Sequence, residues 1–187
     1  MFDAIIIGSA QGGKPLTVHL SAQETQEYAK VAQFLQRQWR QLGINTVVNF
    51  YNNDDMQGSI IANHDYEILL YGISIGVDPD VYAYWGSAQA SVASQGRLNL
   101  SEYKSPVADQ AIESARTRAD DANRVVKYKT FLQAWVNDAP ALALYQPNYL
   151  YVTRGTVYNY DRKAMNSAAD RYYNAHNWMI RQQRQKI

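Results

Sequence analysis

The sequence predicts an α/β fold, in which a mainly parallel or mixed β-sheet is flanked by helices and followed by an irregular tail. The chain of 187 residues is long enough for one domain with a sizeable core. Between residues 16 and 73 the pattern runs strand, helix, strand, short helix, strand, an order that favours parallel pairing through crossover connections. Ile68, Leu69 and Leu70 form an unbroken apolar run, which is typical of a central strand covered on both faces.

The first strand and helix are predicted by a change of hydrophobic period. Leu16–Leu20 alternates as L-T-V-H-L, which is the pattern of a strand. Ser21 or Gln23 is placed to cap the following helix. That helix is predicted by apolar residues at helical spacing: Tyr28, Val31, Ala32, Leu35, Trp39 and Leu42. Gly43 follows directly, at a position where a helix C-cap favours a positive φ.

The next segments complete the strand–helix–strand order. Ile44–Tyr51 is rich in β-branched and aromatic residues and predicts the second strand. Asp54 or Asp55 is placed to cap a short helix that ends at Ile61. Asp65–Ile73 then predicts the third strand.

Two helices are predicted in the second half of the chain. After a long polar loop at 87–100, Ser105 and Pro106 supply a capping hydroxyl and then proline at the first helical position. One face of this helix is apolar, with Val107, Ala108, Ala111, Ile112 and Ala115. Asp120 or Asp121 is placed to cap the second helix. Its apolar stripe consists of Val125, Tyr128, Phe131, Leu132, Trp135 and Val136.

The end of the chain carries weaker signals. Pro140 ends the second helix, and Ala141–Tyr145 and Tyr149–Thr153 predict short strands. From Gly155 onward the sequence is polar with no firm period, so an irregular tail is expected. Trp178–Ile180 is the candidate for a last strand.

Composition excludes several classes of function. The formal net charge is +1 and no long basic run is present, which argues against binding to nucleic acid or anionic lipid. The chain has no cysteine, so disulfides, thiol catalysis and thiolate metal sites are excluded. His19, His64 and His176 lie far apart without metal-ligand spacing, and no apolar run is long enough to span a membrane. We therefore expect neither a metal nor a cofactor.

A glycine-rich segment near the start of the chain leaves one alternative open. Gly8, Gly13 and Lys14 have the spacing of a phosphate-binding loop, but Pro15 stands where serine or threonine would hold magnesium. Ala10 stands where a dinucleotide fingerprint requires its second glycine. A linker or strand end is the favoured interpretation of this segment, and a nucleotide- or flavin-dependent enzyme fragment is the alternative function.

The strongest candidate for a binding surface is Tyr66–Trp85, where a strand leads into a glycine-punctuated loop. Loops at strand ends are where α/β proteins usually bind ligands. Rings, glycines and polar groups are interspersed here: Tyr71, Gly72, Ser74, Gly76, Asp78, Tyr82, Tyr84 and Trp85. Asp78 and Asp80 flank Pro79, so we expect them to accept backbone N–H groups in a turn. The combination suits a polar organic ligand, such as a peptide or an amino compound; a scaffold domain without a small ligand is the remaining hypothesis.

Five blocks of the sequence carry a resemblance to a known family. They are Ala29–Val48, Asp65–Gly72 (D-Y-E-I-L-L-Y-G), Asp78–Asp80, Tyr103–Ile112 and Arg124–Tyr145. In this order they resemble the carboxy-terminal part of the family 5 extracellular solute-binding proteins. These proteins are the dipeptide-, oligopeptide- and nickel-binding components of ABC importers.

The resemblance implies a lobe of the type II periplasmic-binding-protein fold, within a two-lobed protein that closes on its ligand. Residues 16–157 would form this α/β ligand-binding lobe. Residues 1–15 would be a linker or inherited strand, and residues 158–187 a tail that returns to a first lobe. The resemblance also implies an extracellular or periplasmic protein at the cell surface, whose signal or lipid anchor lies outside this chain. Its partner would be an ABC transporter permease, and it would not be an enzyme.

The resemblance further implies which residues contact the ligand. In peptide-binding members the loop after the third strand carries a tryptophan and, a few residues on, an aspartate that holds the peptide α-ammonium group. Here Tyr71 supplies the ring, whereas Ser74 or Ile75 stands in place of the acid, and a serine would give only a neutral hydrogen bond. Tyr145 matches a ring that often contacts ligand. The expected ligand-binding residues are Tyr71, Gly72, Ser74, Asp78, Tyr82, Trp85 and Tyr145.

Overall fold

The computed structural model describes residues 16–180, except 77, 95, 97, 149 and 162–166. The glycine-rich segment with Gly8, Gly13 and Lys14 therefore lies outside the described residues. The alternative function that was built on this segment stays a prediction.

A parallel three-stranded sheet organises the first half of the described chain. Its strands are β1 (Leu16–Gln23), β2 (Ile44–Tyr51) and β3 (Ile68–Leu70), in the order β2-β1-β3, and β1 pairs parallel with both neighbours. This confirms the predicted α/β fold and parallel pairing. The predicted central position of β3 is wrong, because β1 is the central strand of the described sheet and β3 is at its edge. An unbroken apolar run indicates that both faces of a strand are covered. It does not indicate whether the strand is central or at an edge of the sheet.

Helix α1 (Gln26–Gln41) covers one face of this sheet. Thr25 is its N-cap, and the Thr25 hydroxyl accepts a hydrogen bond from the Tyr28 N–H at 3.1 Å. The predicted cap at Ser21 or Gln23 is wrong because β1 runs three residues beyond its predicted end. The sheet cluster is the core between α1 and the sheet, with buried Leu20, Ala22, Ala32, Leu35 and Leu70 and partly buried Tyr28, Val31, Trp39, Val48 and Ile68.

The C-terminal end of α1 and the N-terminal end of α2 are both set by local signals. Gly43 has a φ of +79°, as a left-handed position after α1 requires, whereas Leu42 is exposed and does not join the predicted stripe. Helix α2 (Asn53–Asp55) is capped by Asn52 instead of the predicted aspartates and continues as a π-helix over Met56–Ile61.

Three further helices form the second half. They are α3 (Tyr82–Trp85), α4 (Pro106–Arg116) and α5 (Asp121–Asp138). The predicted caps of α4 and α5 are confirmed at Ser105 and Asp120. The helix cluster is their shared core, with buried Val81, Tyr103, Ala108, Ala111, Ile112 and Phe131 and partly buried Tyr82, Trp85, Tyr128, Ala134 and Trp135. Among the described residues, no helix combines the length and apolarity needed to cross a membrane.

Only part of each predicted helix stripe is buried in this core. Val107, Val125, Leu132 and Val136 are all more than half exposed. The apolar stripe of α5 is wider than the surface that α4 offers, so the side that carries Phe131 faces the core and the neighbouring side does not.

The last part of the chain differs most from its prediction. The segments 141–148 and 150–153 contain no strand, so the strands predicted at Ala141–Tyr145 and Tyr149–Thr153 are wrong. A strand needs a hydrogen-bonded neighbour, and these segments have none among the described residues. The predicted last strand is present as β5 (Met179–Ile180), which pairs antiparallel with β4 (Val157–Tyr158).

An aromatic cluster lies next to this two-stranded sheet in the chain. It contains Tyr151, Tyr160, Tyr172 and Trp178, with neighbouring ring centroids 5.5 to 6.3 Å apart. The Arg171 guanidinium lies 4.3 Å from the Tyr172 ring centroid, a cation–π distance. The tail is therefore irregular in backbone but has contacts of its own.

Candidate functional site

The carboxyl ends of the three parallel strands meet at one edge of the sheet. The register places Gln23 beside Tyr51 and Ala22 beside Leu70. The chain leaves this edge at three places: into α1 after β1, into α2 after β2, and into the loop 71–76 after β3. Such an edge is where open α/β sheets bind ligands.

Tyr28 joins the first and the third of these segments. The Gly72 backbone hydrogen-bonds to the Tyr28 hydroxyl, and a Cβ atom added to Gly72 would lie only 3.1 Å from that oxygen. Burial raises the pKa of Tyr28, the hydrogen bond from Gly72 opposes this, and nearby Glu27 and Tyr71 raise the pKa further. The hydroxyl therefore stays protonated and fixes the start of the loop against α1.

Tyr145 reaches the same place from the other end of the chain. Its hydroxyl donates a hydrogen bond of 2.6 Å to Oε1 of Glu27, which is 118 residues away in sequence. This hydrogen bond to the carboxylate raises the pKa of Tyr145 to about 12. The residue is 48% exposed, so part of its surface remains accessible.

An open cleft of about 520 Å³ lies between Tyr145 and α1. Its lining consists of Gln26, Glu27, Lys30, Val31 and Tyr145. The volume is within the range of small-molecule sites. One carboxylate, one ammonium group, a phenol and an apolar wall give it the means to bind a charged organic solute.

Tyr71, the first residue after β3, is held on the opposite face of the sheet from α1. Its hydroxyl accepts a hydrogen bond of 3.2 Å from Nε2 of Gln57, and its ring packs against the core around Met56. Gln57 belongs to the π-helix, a rare helix type that often occurs at functional sites.

Ser74 connects the loop to α3 through its backbone. The Ser74 carbonyl accepts a hydrogen bond of 2.8 Å from the Tyr84 hydroxyl, while Ile73 and Ile75 on either side are exposed. The predicted residue Ser74 is exposed, at the point where the loop passes from the sheet to the helices.

Asp78 is held by the helix pair. Its Oδ1 lies 2.6 Å from Nη2 of Arg124, and this hydrogen bond lowers the pKa of Asp78. Asp78 and Asp80 accept the backbone N–H groups of Asp80 and Tyr82 at 2.9 and 3.0 Å, which confirms the predicted turn.

Tyr82 and Trp85 likewise contact the helices. The Arg116 guanidinium lies 4.4 Å above the Tyr82 ring and 2.8 Å from Asp80. The rings of Trp85 and Trp135 meet edge to face at 5.4 Å. Among the described residues, neither Tyr82 nor Trp85 shares a hydrogen bond or ring contact with the residues that surround the cleft.

The seven predicted site residues thus divide into two groups. Gly72 and Tyr145 contact α1, next to Tyr71, which packs against the core around Met56. Ser74 lies between the groups, and Asp78, Tyr82 and Trp85 belong to the helix cluster or its surface. Sequence reasoning missed Glu27, Tyr28, Lys30 and Gln57 as site residues. The signal that would have found the first three is their position just after the carboxyl end of β1, by the same rule that was applied to β3.

The histidines are separate from this site. His64 Nδ1 lies 2.9 Å from Oε1 of Glu102, and the His19 backbone N–H donates to Glu67. Within the described ranges, no three histidine or acidic side chains are grouped so as to hold a metal ion.

By sequence, no protein-family model and no curated protein matches the chain. Its structure is similar to solved solute-binding proteins. NikZ from Campylobacter jejuni, solved in complex with Ni(L-His), gives a TM-score of 0.60 at 23% identity. DppA from Helicobacter pylori, an ABC transporter-associated periplasmic binding protein in complex with the peptide STSA, gives 0.61 at 21%. The oligopeptide-binding protein AppA from Bacillus subtilis, in complex with a nonapeptide, gives 0.59 at 22%.

These similarities cover 67%, 70% and 69% of this chain, and 25% of each of the three proteins. The chain therefore spans about a quarter of their length. Identities at this level show a shared fold, which is the fold that the sequence resemblance implied. The chain has the α/β fold of part of a periplasmic solute-binding protein.

Proposed function

We propose that the chain is the ligand-binding lobe of a substrate-binding component of an ABC importer, and that it binds peptides or similar small polar solutes without catalysis. The observation that carries this proposal is the cleft at the carboxyl edge of the sheet. Glu27 and Tyr145, which are 118 residues apart in sequence, meet there, on a fold shared with proteins that were solved with peptides and with Ni(L-His).

Openness of the cleft supports a two-lobe mechanism. Tyr145, Ile73 and Ile75 are all 43% to 48% exposed at this edge, so a ligand here would keep one side in water. A second lobe closing over that side would complete the contacts. Ligand contacts to both lobes would then shift an open–closed equilibrium, and a membrane permease would recognise the closed form.

We assign the predicted ligand contacts to the sheet edge. In this assignment Tyr145 lines the cleft, Tyr71 and Gly72 contact the ligand from the segment that follows β3, and Ser74 offers a hydrogen bond from the loop. Asp78, Tyr82 and Trp85 do not contact the ligand directly in this assignment. They hold the loop and α3 in place, because Asp78 bonds to Arg124 and Trp85 packs against Trp135.

A solute screen with two matched tyrosine variants tests the proposal. Dipeptides to pentapeptides are titrated into the 187-residue chain, and binding is followed by thermal shift and by amide chemical shifts in NMR spectra. Because one lobe supplies only part of the contacts, we expect weak binding. Tyr145→Ala should abolish it, and Tyr158→Ala, which changes a similarly exposed tyrosine in β4, should not. Equal binding by both variants, or no response to any solute, would contradict the proposal.

A further inference from the structure

Two opposite charges stand on one side of α1 inside the cleft. Glu27 and Lys30 both line it and are three residues apart, a spacing that places helical side chains next to each other. Within the described part of the chain, neither side chain has an ion-pair partner. A carboxylate and an ammonium group are therefore adjacent, accessible and available to a ligand.

Tyr145 orients the carboxylate and leaves part of it free. Its hydroxyl bonds to Oε1 of Glu27 at 2.6 Å, whereas a carboxylate accepts hydrogen bonds through both oxygens. Oε2 of Glu27 can therefore accept a hydrogen bond from a ligand while Tyr145 holds the group in place. This bond between residues 27 and 145 shows that the cleft is more than an exposed helix end.

Val31 supplies a fixed apolar surface next to these charges. It lines the cleft and also packs against the sheet cluster, so its position is set by the core. Tyr145 lines the same cleft. An aliphatic or aromatic group could be held between the two by apolar contact.

Building on the proposed solute-binding function, we propose that this cleft binds the zwitterionic head of an α-amino acid. Glu27 accepts hydrogen bonds from the ammonium group, Lys30 pairs with the carboxylate, and the ligand side chain lies between Val31 and Tyr145. The ammonium and carboxylate of an amino acid are on one carbon, which matches neighbouring charges on one helix. In an extended peptide the termini separate by about 3.3 to 3.6 Å per residue, so a tetrapeptide cannot contact both side chains at once.

A set of blocked ligands separates the two charge contacts. L-phenylalanine, L-phenylalaninamide and N-acetyl-L-phenylalanine are each titrated into the isotope-labelled 187-residue chain, with amide chemical shifts as the readout. We expect L-phenylalanine to shift residues 26–31 and 145. The two blocked compounds should bind about threefold to tenfold more weakly, because each lacks one charge-assisted contact at an exposed site.

Two charge-removing variants assign each contact to its residue. Glu27→Gln should weaken L-phenylalanine and its amide but leave N-acetyl-L-phenylalanine unchanged. Lys30→Met should weaken L-phenylalanine and the N-acetyl compound but leave the amide unchanged. The control variants Glu113→Gln and Lys129→Met remove exposed charges of α4 and α5 outside the cleft and should bind all three compounds like the unaltered chain.

The outcomes distinguish this inference from the proposed function. If peptides bind at the sheet edge but both variants bind the three phenylalanine compounds like the unaltered chain, the zwitterion site is overturned and solute binding stands. If a tetrapeptide binds at residues 26–31 more tightly than L-phenylalanine does, the zwitterion site is likewise overturned and solute binding stands. If neither amino acids nor peptides shift any amide, both proposals fail. The amide spectrum away from the cleft reports whether each variant is folded.

Discussion

The carboxyl edge of the sheet and the α4–α5 pair contain the same kinds of side chain but use them differently. Each has a tyrosine hydroxyl bonded to a carboxylate at 2.6 Å: Tyr145 to Glu27 at the edge, and Tyr103 to Asp138 in the helices. Tyr103 is 8% exposed and Tyr145 is 48% exposed. The same bond therefore holds a core together in one region and presents a carboxylate to solvent in the other.

Ion pairing distinguishes the two regions. In the helical region Asp78 pairs with Arg124 and Asp80 with Arg116. At the sheet edge Glu27 and Lys30 lack ion-pair partners among the described residues. The two regions therefore both contain tyrosines and acids and differ in whether these charges are paired.

The largest expected effect is on the helix cluster. Phe131 is 4% exposed, so Phe131→Ala should lower the free energy of unfolding by about 3 to 5 kcal/mol. Leu132→Ala, at the neighbouring exposed position, should change it by less than about 0.5 kcal/mol. Denaturant unfolding of both variants measures the difference. Similar losses for the two variants would mean that α5 packs through a different face.

A buried asparagine should have the next largest effect. Asn99 is fully buried and donates to the carbonyls of Gly86 and Tyr103, while its own oxygen accepts the Tyr103 N–H. Asn99→Ala leaves these buried groups unsatisfied and should cost at least about 2 kcal/mol of unfolding free energy. Exposed Asn45, which bonds only to the Thr17 hydroxyl among the described residues, is the control. If Asn45→Ala costs as much, the buried network is not responsible.

The two tyrosine–carboxylate pairs give the most direct test of the comparison. Tyr103→Phe should lower the free energy of unfolding by about 1 kcal/mol without changing solute binding. Tyr145→Phe should change stability less, and it should weaken solute binding because Glu27 loses its orientation. Denaturant unfolding and NMR titration of both variants report the two quantities. If Tyr103→Phe weakened solute binding and Tyr145→Phe caused the larger loss of stability, the roles that we assign to the two regions would be reversed.

Alkaline pH should weaken the sheet edge through Tyr145 and the core around Met56 through Tyr66. The pKa of Tyr66 is raised to about 12, mainly by burial and also by Glu102, and that of Tyr145 to about 12 by Glu27. Both values lie above the unfolded value of 10.0. The stability from these groups is therefore complete below pH 10 and is lost as pH rises through 12. Tyr66→Phe should flatten this decline in unfolding measurements from pH 8 to 12; an unchanged slope would contradict it.

The smallest expected change in stability is at Gly72. Its added Cβ would lie 3.1 Å from the Tyr28 hydroxyl, whereas a Cβ on Gly76 would meet nothing within 4 Å. Gly72→Ala should displace Tyr28 slightly, at roughly 0.5 kcal/mol, and should weaken solute binding. Gly76→Ala should leave binding unchanged. Equal binding by the two variants would show that the Tyr28–Gly72 contact does not shape the site.

Much of the fold could be predicted because its signals are local. The bounds of β2, the Ser105–Pro106 start of α4 and the positive φ of Gly43 all follow from residues at the feature itself. The strand predicted at Ala141–Tyr145 was wrong because a strand depends on a neighbour elsewhere in the chain. Local pattern does not contain that information.

The candidate site could be predicted only in part for the same reason. Tyr71 and Gly72 follow a strand end, and Tyr145 came from the family resemblance. Glu27 and Lys30 read as ordinary surface charges of an amphipathic helix. Their assignment to a site depends on the contact between residues 27 and 145. These residues are too far apart in the chain for a local sequence pattern to reveal that contact.

The placement of the two cores along the chain has a consequence for synthesis on the ribosome. The sheet cluster uses residues from Leu20 to Leu70 and the helix cluster residues from Val81 to Trp135, so the first is translated completely before the second begins. Of the three strands of this sheet, the central strand β1 is synthesised first, before both of the strands that pair with it. At about 5 to 20 residues per second, roughly 2 to 10 seconds pass before β3 follows. Until then the side of β1 that pairs with β3 has no partner, even after β2 has been made, and β1 is the segment that we expect a ribosome-associated chaperone to shield.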